Sequence, residues 1–216
     1  MNPINELSRL DSLAPMPQGL AWHDGHIWMG SMDTKIVYQI DPSSWTVQWQ
    51  VPAPGTPFGI ASIGDELRVL CGETEEDNRF IRRLMPGHGF DSAFKQPCPE
   101  DTGSQLGFDG QQLHVSQWSN KRVLALNDEG GVEKTYDSPH GVAGQCIVDG
   151  SIYLITTDDE ETTEYFLTRI DQTTGQAEDI ATVPFQARAL AFDGEAFWTN
   201  HRAANQTVRF AKPVQE

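Results

Sequence analysis

An all-β chain, folded as a five-bladed propeller of four-stranded antiparallel blades, is predicted by three observations. A turn built on Asp and Gly recurs every 40–44 residues. The segments on either side of that turn repeat one apolar pattern. The last repeat lacks an outer strand, and an N-terminal segment stands ready to supply it.

The turns are Asp24-Gly25, Gly64-Asp65, Asp109-Gly110, Asp149-Gly150 and Asp193-Gly194. Asp and Gly tolerate the positive φ angles of a two-residue hairpin, so each pair is expected to join two neighbouring strands. A period of this length fits one propeller blade of four strands. Before each turn lies a small or apolar strand, such as Gly19-Leu20-Ala21-Trp22 or Leu190-Ala191-Phe192. After it comes an apolar residue and then a bulky one: Ile27-Trp28, Leu67-Arg68, Leu113-His114, Ile152-Tyr153 and Phe197-Trp198. His114 thus takes a packing position between blades. Third strands are expected at 36–40, 80–84, 123–126, 166–170 and 208–210. Polar turns such as Asp41-Pro42-Ser43-Ser44 then lead to the fourth. No stretch carries helical periodicity.

The fifth blade has strands near 195–201 and 207–212 and no fourth strand of its own. Residues 6–13 precede the first inner strand and belong to no blade by pattern. Pairing this segment onto the last blade closes the ring and removes two exposed sheet edges. A two-sheet sandwich of equal strand count would predict neither the repeat nor the missing strand.

The chain has 216 residues, which suits a single domain over 1–216. Fifteen Lys and Arg against 31 Asp and Glu give a net charge of −16. That balance argues against nucleic acid and against an anionic membrane surface, both of which need a basic patch. The N-terminus shows neither the basic nor the apolar region of a signal peptide, and no window approaches the length of a membrane span. Cys71, Cys98 and Cys146 are odd in number and unpatterned, which reads as free thiols in a cytoplasmic protein.

The segments Pro17–Trp28 and Pro57–Ala61 resemble repeats of virginiamycin B lyase and gluconolactonase-like proteins. Gln18-Gly19-Leu20 and Val37-Tyr38-Gln39-Ile40-Asp41 resemble plant-type glutaminyl cyclase, a five-bladed propeller. These motifs build blades and say little about chemistry. The cyclases carry a Phe-Gly-Glu-Gly-Leu segment in blade 2 whose Glu is thought catalytic. Here the matching stretch is Thr56-Pro57-Phe58-Gly59-Ile60, with no acid, so no functional residue is carried over.

A propeller collects its ligand groups at one mouth of the central channel. Two sets of residues are expected there. Starts of inner strands supply Gln18, Phe58, Gln105, His140 or Gln145, and Arg188. Ends of second strands supply Glu73, Gln117, Trp118, Asp158, Asn200, His201 and Arg202. His140, His201 and Glu73 are the candidate acid/base groups. Arg188 is the candidate anion stabiliser; Gln18, Phe58, Gln105, Gln117, Trp118, Gln145 and Asn200 are candidate ligand contacts. No metal site is assigned. The acidic runs 73–77 and 158–161 leave calcium or magnesium as an option, since such ions collect carboxylate oxygens. The expected function is a small-molecule site of lyase, cyclase or lactonase type. The alternative is a non-catalytic scaffold for a protein or glycan, with Trp45 and Trp49 as its contact patch.

Overall fold

The computed structural model describes residues 1–213, and these form five four-stranded sheets. Strand β1 (Glu6–Asp11) precedes the first blade. Blade 1 comprises β2 (Pro17–His23), β3 (His26–Ser31), β4 (Ile36–Asp41) and β5 (Thr46–Pro52). Blade 2 comprises β6 (Thr56–Ile63), β7 (Glu66–Gly72), β8 (Arg79–Met85) and β9 (Gly89–Pro97). Blade 3 comprises β10 (Gln105–Phe108), β11 (Leu113–Gln117), β12 (Arg122–Leu126) and β13 (Val132–Asp137). Blade 4 comprises β14 (Gly141–Val148), β15 (Ser151–Thr157), β16 (Tyr165–Asp171) and β17 (Ala177–Val183). Blade 5 comprises β18 (Ala187–Phe192), β19 (Ala196–His201), β20 (Gln206–Ala211) and β1 as its outer strand. All pairings within the blades are antiparallel. Among the described residues no helix is long and apolar enough to cross a membrane.

The ring closes as the missing strand predicts. β1 pairs with β20 from Glu6↔Phe210 to Asp11↔Gln206. Two further backbone bonds, Ile4 N–H to Thr182 O and Thr182 N–H to Asn2 O, tie the N-terminus to β17 of blade 4.

Turn chemistry explains the hairpins, with one refinement. Asp24-Gly25 and Asp149-Gly150 are two-residue turns with positive φ at both positions. In Gly64-Asp65 the order is reversed and only Gly64 is positive, the pattern of the II′ turn. In blades 3 and 5 the connection is four residues long. There Asp109 Oδ1 accepts from the N–H groups of Gln111 and Gln112, and Asp193 Oδ1 from those of Glu195 and Ala196. The aspartate serves in these two turns as a side-chain cap, which holds a wider loop.

The core lies between blades, where the second strand of one sheet meets its neighbour. The bulky position after each turn fills this space: Trp28 and His114 are fully buried, and Tyr153 and Trp198 nearly so. His114 bonds Asp109 Oδ2 at 3.0 Å and stacks on Tyr136, confirming its packing role. Trp45 stacks on Trp198, and Trp49 meets Trp28 edge-on. Both are half-buried in clusters of the core, so the contact patch expected on blade 1 is spent on packing.

His23, His114 and His201 are held below the usual histidine value, in each case chiefly by burial. Once unfolded they take up protons near pH ~6.5, while the native forms resist. Acidification therefore favours the unfolded state, and stability falls as pH drops below that value. Melting temperature followed by circular dichroism should decline from pH 7 to pH 5. In His114→Phe, which keeps an aromatic ring against Tyr136, the decline should be shallower. An unchanged slope would refute the assignment.

Candidate functional site

The inner strands β2, β6, β10, β14 and β18 all begin at the same end of the channel, because every blade starts from it. A cavity of about 360 Å³ opens there. Gln18, Phe58, Gln105, Trp118 and Arg188 line it together, and so does Arg202. Two residues that sequence reasoning did not place here, Arg79 from the start of β8 and Glu160 from the loop after β15, complete the ring of charge. Arg79 opens the third strand of blade 2, level with Lys35 and Lys121 of blades 1 and 3, and Glu160 was legible only as one of several loop acids.

Arg188 is almost wholly enclosed, with 1% of its surface exposed. One terminal nitrogen donates to Tyr165 Oη at 2.6 Å and to Ala187 O at 3.0 Å. The other meets Glu160 Oε2 at 2.7 Å. Arg202 donates to Gln18 Oε1 at 2.9 Å and stands 3.7 Å from the same Glu160 oxygen. Burial and the nearby Arg188 charge push the Arg202 guanidinium below its ordinary value, with Glu160 partly offsetting them. Burial raises the Tyr165 hydroxyl.

The walls are aromatic. Arg79 lies over Phe58, its guanidinium carbon 3.6 Å from the ring centre, and is paired with Asp77 at 2.6 Å. Trp118 covers Gly141 so closely that a Cβ there would fall 1.7 Å from its ring, so the wall requires glycine. Gln105 is 2% exposed, and its Nε2 has no hydrogen-bond partner. A buried amide donor left open in a cavity wall is a ready contact for an acceptor.

Register corrects the expected alignment of the inner strands. The small residues opposite the bulky position are Ala21, Ala61, Gly107, Cys146 and Ala191. Two residues before them come Gly19, Gly59, Gln105, Gly144 and Ala189. Gln105 is therefore the equivalent of the glycines rather than of Gln18 and Phe58. Strands crowd together at this level: a Cβ on Gly59 would lie 2.7 Å from Gln105 Cα. Gln105 thus forms the floor of the mouth. In blade 4 the bulge between Val142 and Gly144 absorbs the extra length. Val142 and Ala143 reach the mouth, and Gln145 lines a second cavity beyond the floor.

Five further candidates do not line the mouth. His140 stacks on Phe166 and faces Asp158 at 2.7 Å and Asp179 at 3.2 Å, so both ring nitrogens are engaged by carboxylates. His201 stacks on Phe185 and accepts from Arg9 at 2.9 Å, on the side of blade 5 that carries β1. Glu73 pairs with Lys95 at 2.8 Å and lies 3.7 Å from Arg82. Gln117 donates to Pro99 O and accepts from Arg122 Nε, bracing the loop before β10. Asn200 is fully buried and accepts from Thr207. His140 stands just before β14 and the other four lie on or just after second strands; all five spend their polar atoms on neighbouring strands and loops.

Among the described residues no group of three or more His, Cys, Asp or Glu side chains comes together to hold a metal ion. Four acids of the two loops are paired with cations: Glu73 with Lys95, Asp77 with Arg79, Asp158 with Lys121, and Glu160 with Arg188. All three cysteines are free. Burial pushes the Cys71 and Cys98 thiols up to about 12 and raises Cys146 too, so none is an activated nucleophile.

These features define the chain as a five-bladed β-propeller with a cationic channel mouth. No protein-family model matches it, and no curated protein does. Among solved structures, it is similar to the glutaminyl cyclase of Myxococcus xanthus, with a TM-score of 0.72, 15% identity and 100% of each chain covered. It is also similar to the PQQ-bound aldose sugar dehydrogenase of Streptomyces coelicolor (TM-score 0.63, 13% identity, 97% of this chain and 81% of that one). The calcium-binding protein regucalcin of Agrobacterium tumefaciens follows, with a TM-score of 0.60, 12% identity, and 97% and 95% covered. At such identities the likeness is one of fold.

Proposed function

We propose that the mouth binds a small molecule carrying a carboxylate and a flat apolar portion. One observation carries this reading: Glu160 already seats a carboxylate between Arg188 and Arg202, at 2.7 and 3.7 Å. Three guanidinium groups stand against two carboxylates, the lining Glu160 and Asp77 paired with Arg79, which leaves the mouth with an excess positive charge in a chain of net charge −16. Phe58 and Trp118 offer faces for an apolar group, and Gln105 Nε2 offers a donor at the floor. A volume of about 360 Å³ suits a small metabolite rather than a polymer.

The fold neighbours include enzymes, and the mouth has parts that suit turnover of lyase, cyclase or lactonase type. Glu160 is the acid or base within reach of a bound molecule, and Arg188 with Arg202 would stabilise an anion forming there. Histidine acid–base chemistry has no support from the placement of His140 and His201.

A thermal-shift panel of small carboxylates, phosphates, lactones and neutral sugars tests the reading. Carboxylates are expected to raise the melting temperature by roughly 5–10 °C at about 100 times their dissociation constant. The shift should shrink in Arg202→Gln. If a shift came from sugars or lactones but not carboxylates, the anion site would be wrong. With a carboxylate that is turned over, Glu160→Gln should lose kcat and retain binding.

A further inference from the structure

Beyond the floor the channel opens again, at the end that carries the Asp-Gly hairpins. This second cavity measures about 370 Å³ and is lined by the later halves of all five inner strands. Its wall is a ring with one member from each blade: Leu20, Ile60, Leu106, Leu190 and Gln145. Pairing puts these residues at one level, since each stands one place before the small residue opposite the bulky position. Four are aliphatic and one is an amide. Gln145 is 2% exposed. Its Nε2 leans across Gly107, where a Cβ would lie only 2.8 Å away, and reaches His114 O at 3.4 Å. This contact orients the amide and leaves Oε1 without a partner. Trp22, Phe108 and Phe192 surround the opening, each half-buried.

An acceptor buried in an aliphatic ring costs stability unless something donates to it. Aromatic and aliphatic walls favour a flat apolar occupant. We infer that this end of the channel is a second binding site, separate from the mouth, for a small aromatic molecule that donates one N–H or O–H to Gln145 Oε1. The volume accommodates a two-ring molecule. Among the described lining residues there is no Arg or Lys, and Asp149 at the opening is already paired with Lys212 at 2.9 Å.

Indole and 1-methylindole differ at the one donor, so they serve as probes. Binding of each to the full chain is measured by calorimetry and by ligand-observed NMR. Indole is expected to bind about fivefold tighter or more, the size of one net hydrogen bond. Gln145→Met keeps the side-chain length and removes the acceptor; in it the preference should vanish while 1-methylindole still binds. Arg202→Gln, which alters the mouth, should leave both affinities unchanged. In the unsubstituted protein the Gln145 side-chain amide resonances should move with indole and not with its methylated form, a readout that does not depend on any variant folding. Failure of both probes to bind, equal binding of the two, or a preference that survives Gln145→Met or is lost in Arg202→Gln would each overturn the inference.

Discussion

Arg188→Met is expected to cut carboxylate affinity by about 100-fold or more and to lower the melting temperature by roughly 4–8 °C. Both effects come from one guanidinium placed where water cannot replace it. Arg188 is 1% exposed and spends its nitrogens on Tyr165 Oη, Ala187 O and Glu160 Oε2. Loss of a partner from a buried charge-assisted bond costs about 2–5 kcal/mol in binding, and each ~1.4 kcal/mol is tenfold. The stability cost is smaller, about 2 kcal/mol. Glu160 is 37% exposed and can turn to solvent once its partner is gone. Each kcal/mol moves the melting temperature of a domain this size by about 2–4 °C. Calorimetric titration with the best carboxylate of the panel, beside a thermal melt, separates the two losses. Arg202→Gln provides the contrast: its side chain is 26% exposed, so affinity should fall about tenfold with little change in melting. Lys at position 188 should recover part of the affinity, because it restores charge but not the planar fork. Unchanged binding in Arg188→Met would place the ligand elsewhere.

Removal of residues 2–11 is the other change with a large consequence. It strips the outer strand from blade 5, reopening the ring and exposing the edge of β20. The ladder from Glu6↔Phe210 to Asp11↔Gln206 goes, together with the bonds to Thr182. Ile4 leaves the cluster it shares with Tyr165, Val183 and Phe185. Arg9 leaves the Phe185 ring, 4.9 Å from its guanidinium carbon. Trp45 loses the Asp11 carbonyl to which its Nε1 donates at 2.8 Å. One buried aliphatic side chain and several net hydrogen bonds, less the entropy regained by the freed segment, come to about 4–5 kcal/mol. A drop of roughly 10–20 °C in melting temperature follows, with self-association through the bared edge. Light scattering and a thermal melt measure both. A synthetic peptide of residues 1–13 added in excess should restore part of the loss. A truncated chain that melts like the full one would show that closure contributes little.

The blades were legible because their signals are local. Asp-Gly pairs, alternating apolar residues and a bulky residue after each turn act within a few positions, and five copies reinforce one another. Even the closure of the ring could be counted from a missing strand. Sequence reading was less complete in the turns of blades 3 and 5. Asp109 and Asp193 there accept two backbone N–H groups each and hold four-residue loops. An Asp-Gly pair is compatible with both turn lengths, so residue type alone did not separate them.

The mouth was legible in part. Gln18, Phe58, Gln105, Trp118 and Arg188 do gather there, whereas His140, His201, Glu73, Gln117 and Asn200 are engaged by outer strands and loops. Assigning the second set required knowing which partners each side chain meets on neighbouring strands and loops, which depends on the packing of whole blades. Arg79 opens a third strand, at the level of Lys35 in blade 1 and Lys121 in blade 3, and Glu160 lies in a loop; only their meeting in space gives them a role.

By itself the sequence determined the all-β class, the five blades, the order of strands and the donor of the closing strand, since period-two alternation and turn chemistry act between near neighbours. Tertiary structure alone decided which side chains face the channel and at which end. Inner strands carry bulges between Pro17 and Gly19, Pro57 and Gly59, Val142 and Gly144, and Arg188 and Ala191. A bulge of one residue turns every following side chain to the other face. β10 carries no such bulge and Gln105 forms the floor of one cavity, whereas Gln145 follows the bulge of β14 and joins the wall of another, a difference that no local pattern encodes.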